Sequence, residues 1–189
     1  MQPRLLARTN VIDRLVRSDV PGIRVETETE PPSATGRRIS APSERYGICR
    51  EFVNRFVAET QFDDPSQMPP RAGGLNWMRL PIPGPASLTL YRTEASGEIG
   101  VFLKYAGAEG LRYFEALAAD RSGIDAEFQS GGLPAPRWME DSDSGTVTIT
   151  APSPLPWTED SDMEQRQWFG RIANQFVNSF RPRIERINA

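Results

Sequence analysis

Residues 86–105, ASLTLYRTEASGEIGVFLKY, decide how this chain folds. In the first half Leu88 and Leu90 point one way. In the second half Ile99, Val101, Leu103 and Tyr105 alternate with Gly100, Phe102 and Lys104. A period of two marks strands with one face in a core. Gly97 supplies the tight turn between them, so the two halves read as a hairpin. Phe102, on the face opposite the main apolar set, predicts that the second face is partly covered as well.

Working outward from the hairpin, LNWMRL (residues 75–80) reads as a further strand. Residues 61–74 carry Asp63, Asp64, Pro65, Pro69, Pro70, Gly73 and Gly74 and read as a long loop. Before that loop, Cys49, Phe52, Val53 and Phe56 follow the i, i+3, i+4, i+7 spacing of a helix buried on one side, with Ser43 as its N-cap. After the hairpin, Leu111, Phe114, Leu117, Ala118, Ile124 and Phe128 stripe one helix over about 108–128, stopped by Gly131, Gly132 and Pro134. A second hairpin pairs APRWMED with GTVTIT through residues 142–145. Pro152, Pro154 and Pro156 then carry an extended linker to Trp157.

A final helix starts near Asp160 or Ser161 and runs towards 187, striped by Phe169, Ile172, Ala173, Phe176, Phe180, Ile184 and Ile187. Pro182 is expected to kink or divide it. Upstream, residues 4–17 have the spacing of a short amphipathic helix and residues 23–28 of an edge strand. Residues 29–43 are rich in Pro, Ser and Gly. The reading is therefore an N-terminal arm (1–43) and one α+β domain (44–189). Its sheet is antiparallel or mixed with about five strands, the helices lie on one face, and the order is α-βββ-α-ββ-α.

Composition narrows the chemistry. The 189 residues contain no histidine, and Lys104 is the only lysine among 22 basic residues. This arginine bias, with abundant Ala, Gly and Pro, points to a GC-rich bacterial genome or its phage. Without histidine, neither a Ser-His-Asp nor a Cys-His nucleophile can be assembled from this chain. One cysteine, Cys49, supplies neither a disulfide nor the ligands of a structural zinc site. No apolar run is long enough for a signal peptide or a membrane span. The expectation is a cytoplasmic domain with no cofactor, no resident metal and no membrane partner.

Asp141, Asp143 and Gly145 imitate the start of a calcium loop, but the later acidic ligand is missing and a polar hairpin turn accounts for them. Asp63 and Asp64 read as a solvated turn. Glu159, Asp160 and Asp162 read as negative charge at a helix start, where unpaired N–H groups favour it. The αβββαβ order resembles in outline the core of PD-(D/E)XK nucleases. Their motif places an acid two residues before a strand lysine, and Phe102 stands there before Lys104. Trp77, Trp138, Trp157 and Trp168 read as core and rim packing.

Charge is unevenly spread. Residues 1–60 carry a net +2, residues 61–162 a net −8 and residues 163–189 a net +3. Arg166, Arg171, Arg181, Arg183 and Arg186 make the last segment basic and offer phosphate contacts, with Arg37 and Arg38 as a second contact. The same arginines fit the acidic middle of another copy.

Six stretches together carry a family resemblance: REFVNRF in the first helix, LNW opening the sheet, LTLYRTEASGEIGVFL in the hairpin, YFEAL…IDAEF in the middle helix, PRWMED, and W…F…FRPRI in the last helix. From Tyr46 to Ile184 the chain resembles a bacterial domain-of-unknown-function family found C-terminal to nuclease-like domains in restriction- and defence-associated proteins. The resemblance implies an accessory or recognition role rather than catalysis, and it brings no active site with it. The nuclease-like part usual in that family is absent or reduced here to residues 1–43.

The sequence thus predicts a non-enzymatic recognition domain that binds a protein partner or nucleic acid through its last helix. Arg181, Arg183 and Arg186 are the first contacts, joined by Arg171, and Trp168 is a packing anchor. Two other functions compete with it. One is a carboxylate-only, metal-dependent nuclease-like enzyme using Glu94, Glu98 and Lys104. The other is a homo-oligomerisation domain that buries the last helix against a second copy.

Overall fold

A computed structural model describes residues 41–74 and 76–189. The readings made for residues 4–17, 23–28 and 29–40, with Arg37 and Arg38, lie outside the described residues. Within them the chain folds as an α+β domain: four helices over one face of a six-stranded, wholly antiparallel sheet. The elements are α1 (Ala41–Glu59), β1 (Arg71–Ala72), β2 (Trp77–Pro81), β3 (Ser87–Thr93), β4 (Glu98–Ala106), α2 (Gly107–Ala118), α3 (Arg121–Ser130), β5 (Arg137–Glu140), β6 (Ser144–Pro152) and α4 (Glu159–Asn188).

The expected hairpin is β3–β4, with Leu88 opposite Leu103 and Leu90 opposite Val101. Gly97 turns it in the left-handed region (φ 58°), and its carbonyl accepts the Ser153 N–H at 2.6 Å. The strand order is β1-β2-β3-β4-β6-β5, so β6 returns to lie beside β4 and β5 forms the far edge. Leu88, Leu90, Ile99, Val101, Leu103, Tyr105, Val147 and Ile149 all point from the sheet into the helices. Phe102 is 3% exposed and tilts against Tyr91 on the opposite face, so that face is covered at its centre, as expected.

Four local expectations need correction. The first helix starts at Ala41, so Ser43 lies inside it and not at its cap. The loop before β2 contains the two-residue strand β1, too short to show a period. The middle helix is two helices. The chain turns at Ala119–Asp120, which lets Phe114 and Leu117 of α2 and Ile124 and Phe128 of α3 all reach the core. The last helix is one piece of 30 residues through Pro182. Pro182 and Asn178, whose carbonyl loses its N–H partner to the proline, both lie on the exposed side.

α4 is started by a capping box. The Thr158 hydroxyl accepts the Ser161 N–H, and the Ser161 hydroxyl accepts the Thr158 N–H at 2.6 Å. Its stripe Phe169, Ile172, Ala173, Phe176, Phe180 and Ile184 is wholly buried in the domain's own core. Ile187, the last residue of the expected stripe, is partly buried against the same core.

A buried cation ties the start of α4 to the sheet. Arg92 projects from β3 on the core side and is 6% exposed. Its guanidinium bonds Asp162 at 2.7 Å and Gln165 at 3.0 Å, and lies over the Phe52 ring at 4.0 Å and the Trp157 ring at 4.8 Å. Gln165 also donates to the Ser153 hydroxyl at 2.8 Å, and the Trp157 indole N–H donates to the Ser153 carbonyl at 3.1 Å, so the linker is pinned as well. Arg92→Ala leaves Asp162 and Gln165 facing an empty slot between two rings. The expected cost is about 3 kcal/mol, read as a lower urea midpoint with an unchanged m-value.

Candidate functional site

The basic residues of α4 were expected to form a contact surface, and the fold divides them into two sets. Arg166 is 6% exposed; it bonds Glu59 of α1 at 2.7 Å and lies over the Phe52 ring. Arg181 pairs with Asp64 at 2.9 Å and with Glu185 at 3.0 Å. Arg183 bonds Asp120 at 2.8 Å and holds both carboxylate oxygens of Glu127, and it donates to the Ser179 carbonyl at 2.6 Å. Arg186 is exposed, its Nε donating only to the Pro182 carbonyl at 3.3 Å. Arg171 is exposed and, among the described residues, has no carboxylate partner.

The basic final segment is thus largely neutralised by acids from elsewhere in the chain. Asp63, read as a solvated turn, is part of the same stitching. Its carboxylate accepts the side-chain amides of Asn174 and Asn178, each at 2.7 Å. Trp168 is half-buried and packs edge-on to Phe169 at 5.3 Å, which makes it a rim residue of the core.

Arg171 borders a groove of about 580 Å³ between the end of α1 and the middle of α4. Thr60, Gln61 and Gln167 line it with a hydroxyl and two amides, beside the Glu59–Arg166 pair and Asn174, whose amide is held by Asp63. Gly170 lies beside Thr60, at a distance where an added Cβ would make ordinary contact. Sequence reasoning identified Arg171 but missed these neighbours. Isolated amides have no periodic signal, and Gln61 and Gln167 come to one groove only because the chain folds back on itself.

The residues considered for nuclease chemistry do not converge. Glu98 and Lys104 share a face of β4 but stand six residues apart, about 20 Å along a strand. Glu98 accepts the Tyr91 hydroxyl at 2.9 Å. Asp141 and Asp143 sit in the β5–β6 turn, closed by the Asp141 N–H donating to the Ser144 carbonyl at 2.8 Å. Among the described residues no three carboxylate or thiol side chains gather closely enough to hold a metal ion. Cys49 is half-buried, its thiol donating to Asn76 Oδ1 at 3.3 Å, and burial pushes its pKa up, away from the thiolate a nucleophile needs. No helix among the described residues is long and apolar enough to cross a membrane.

No protein-family model matches the chain, and no curated protein matches it.

The Arg183–Glu127 pair gives the acid limb of stability a defined sign. Hydrogen bonds from Arg183 hold the Glu127 carboxyl below its ordinary value of 4.5. A folded-state pKa below the unfolded one stabilises above the unfolded value, and that stability is lost as pH falls through the folded value. Melting temperatures measured from pH 5 downward should fall less steeply in Glu127→Gln than in the unsubstituted protein.

Proposed function

We propose that this domain is a non-enzymatic recognition module that binds nucleic acid through phosphate contacts. Its setting would be the DNA restriction or defence that the family resemblance implies for a bacterial or phage protein. One observation carries the reading. The fold pairs Arg166, Arg181 and Arg183 with carboxylates, while Arg171 and Arg186 stay exposed on the same helix. Fifteen residues apart, these two lie about 22 Å apart along the axis and within about 60° of each other around it. They form a stripe that fits phosphates several nucleotides apart on one strand, and the amides beside Arg171 suit sugar and base edges.

A protein partner is the second reading, favoured by the groove itself, whose amides match the donors and acceptors of a peptide backbone. Fluorescence anisotropy with labelled single- and double-stranded DNA across a salt series separates the two. Expected is binding whose logarithmic salt slope drops by about 1.8 on duplex DNA in Arg171→Ala/Arg186→Ala, from two lost phosphate contacts. Absence of binding to either form at low salt overturns the nucleic-acid reading and leaves the protein partner.

A further inference from the structure

The register of the shortest strand places two arginines where a sheet does not favour them. Arg71 of β1 stands directly opposite Arg79 of β2. Directly opposed residues share a face with their Cβ atoms close together, so like charges there repel. Both side chains are exposed, and among the described residues neither has a carboxylate within ion-pair reach. Arg92, Arg166, Arg181 and Arg183 each meet an acid, whereas here two arginines face each other.

The pair is also anchored. The Arg79 guanidinium lies over the indole of Trp77, two residues earlier on the same face, at 5.3 Å from its ring centre. That indole rests on Gly73 and Gly74. A Cβ at Gly73 would sit 1.7 Å from the ring and one at Gly74 2.6 Å from it, so only glycine allows this seat. The Gly73 N–H donates to the Trp77 carbonyl at 3.1 Å, closing the turn beneath it. Loop, indole and the Arg79 guanidinium are therefore stacked into a small platform, with Arg71 opposite in the register of the neighbouring strand.

We infer that the β1–β2 edge is a binding surface for single-stranded nucleic acid, with a backbone phosphate between Arg71 and Arg79 and an unpaired base against the Arg79–Trp77 stack. A phosphodiester accepts hydrogen bonds from two guanidiniums at once and relieves their repulsion. A planar cation–aromatic stack offers a base a surface only when that base is unpaired. The inference rests on the nucleic-acid reading above and deepens it by assigning a second surface and a strand preference.

The test uses the full chain and a labelled oligothymidylate, with a duplex of equal length beside it. In Arg71→Ala/Arg79→Ala, single-strand affinity should fall about tenfold, and the salt slope should become shallower by about 1.4, the share of two single-strand phosphates. Arg71→Glu turns the repulsive pair into a cross-strand ion pair; it should abolish single-strand binding while the melting temperature holds or rises. If Arg71→Glu binds the single strand as the unsubstituted protein does, the edge is not the site. In that case the wider reading still stands, provided Arg171→Ala/Arg186→Ala weakens duplex binding. If the unsubstituted protein binds neither probe at low salt, both are overturned.

Discussion

The domain is organised around the aromatic stripe of its last helix. Phe169 meets Phe52 and Phe56 of α1 edge-on at 6.2 and 6.3 Å, and Phe176 and Phe180 meet Phe128 of α3 at 5.2 and 6.4 Å. Trp138 of β5 tilts against Phe180 at 5.9 Å and against Phe114 of α2 at 5.8 Å. The other helices among the described residues and one sheet edge are thus held to α4, directly or through one further ring. Aromatic pairs in these tilted and edge-on geometries add about 0.5–1.5 kcal/mol each beyond the area they bury. The sheet contributes an apolar face, and the rings of α4 join the helices that cover it.

Electrostatics follows from that packing. Because α4 lies across the domain, its arginines come within reach of acids from α1, the following loop, the α2–α3 turn and α3. The strong charge polarity along the chain is largely cancelled by folding. Among the described residues the surface keeps arginines with no acid opposite: Arg171 and Arg186 on α4, the Arg71–Arg79 pair at the sheet edge, and Arg50, Arg112 and Arg137 elsewhere.

Much of the architecture was legible because it is local. The alternation in residues 86–105 yields β3 and β4 with the correct faces inward, and the helical spacing from Phe169 to Ile184 yields the buried side of α4. The break at Ala119–Asp120 was not legible, since the apolar residues on either side continue one helical stripe and only their fit to the core separates them. Pro182 does not divide the helix, because buried Phe180 and Ile184 hold both halves of it to one core. At the site, periodicity identifies an arginine but not its partner. Arg183 and Glu127 are 56 positions apart, and Arg166 and Glu59 are 107 apart.

The position of α4 as the last element has a consequence for biosynthesis. A ribosome delivers the chain from its N-terminal end, so every other element among the described residues emerges before Phe169, Phe176 and Phe180 exist. Until then Leu88, Leu90, Val101, Leu103 and Val147 present an apolar sheet face whose main cover has not been made. A nascent chain in that state exposes the sort of surface that chaperones bind. Closure of the core must wait for the final thirty-residue helix to leave the exit tunnel.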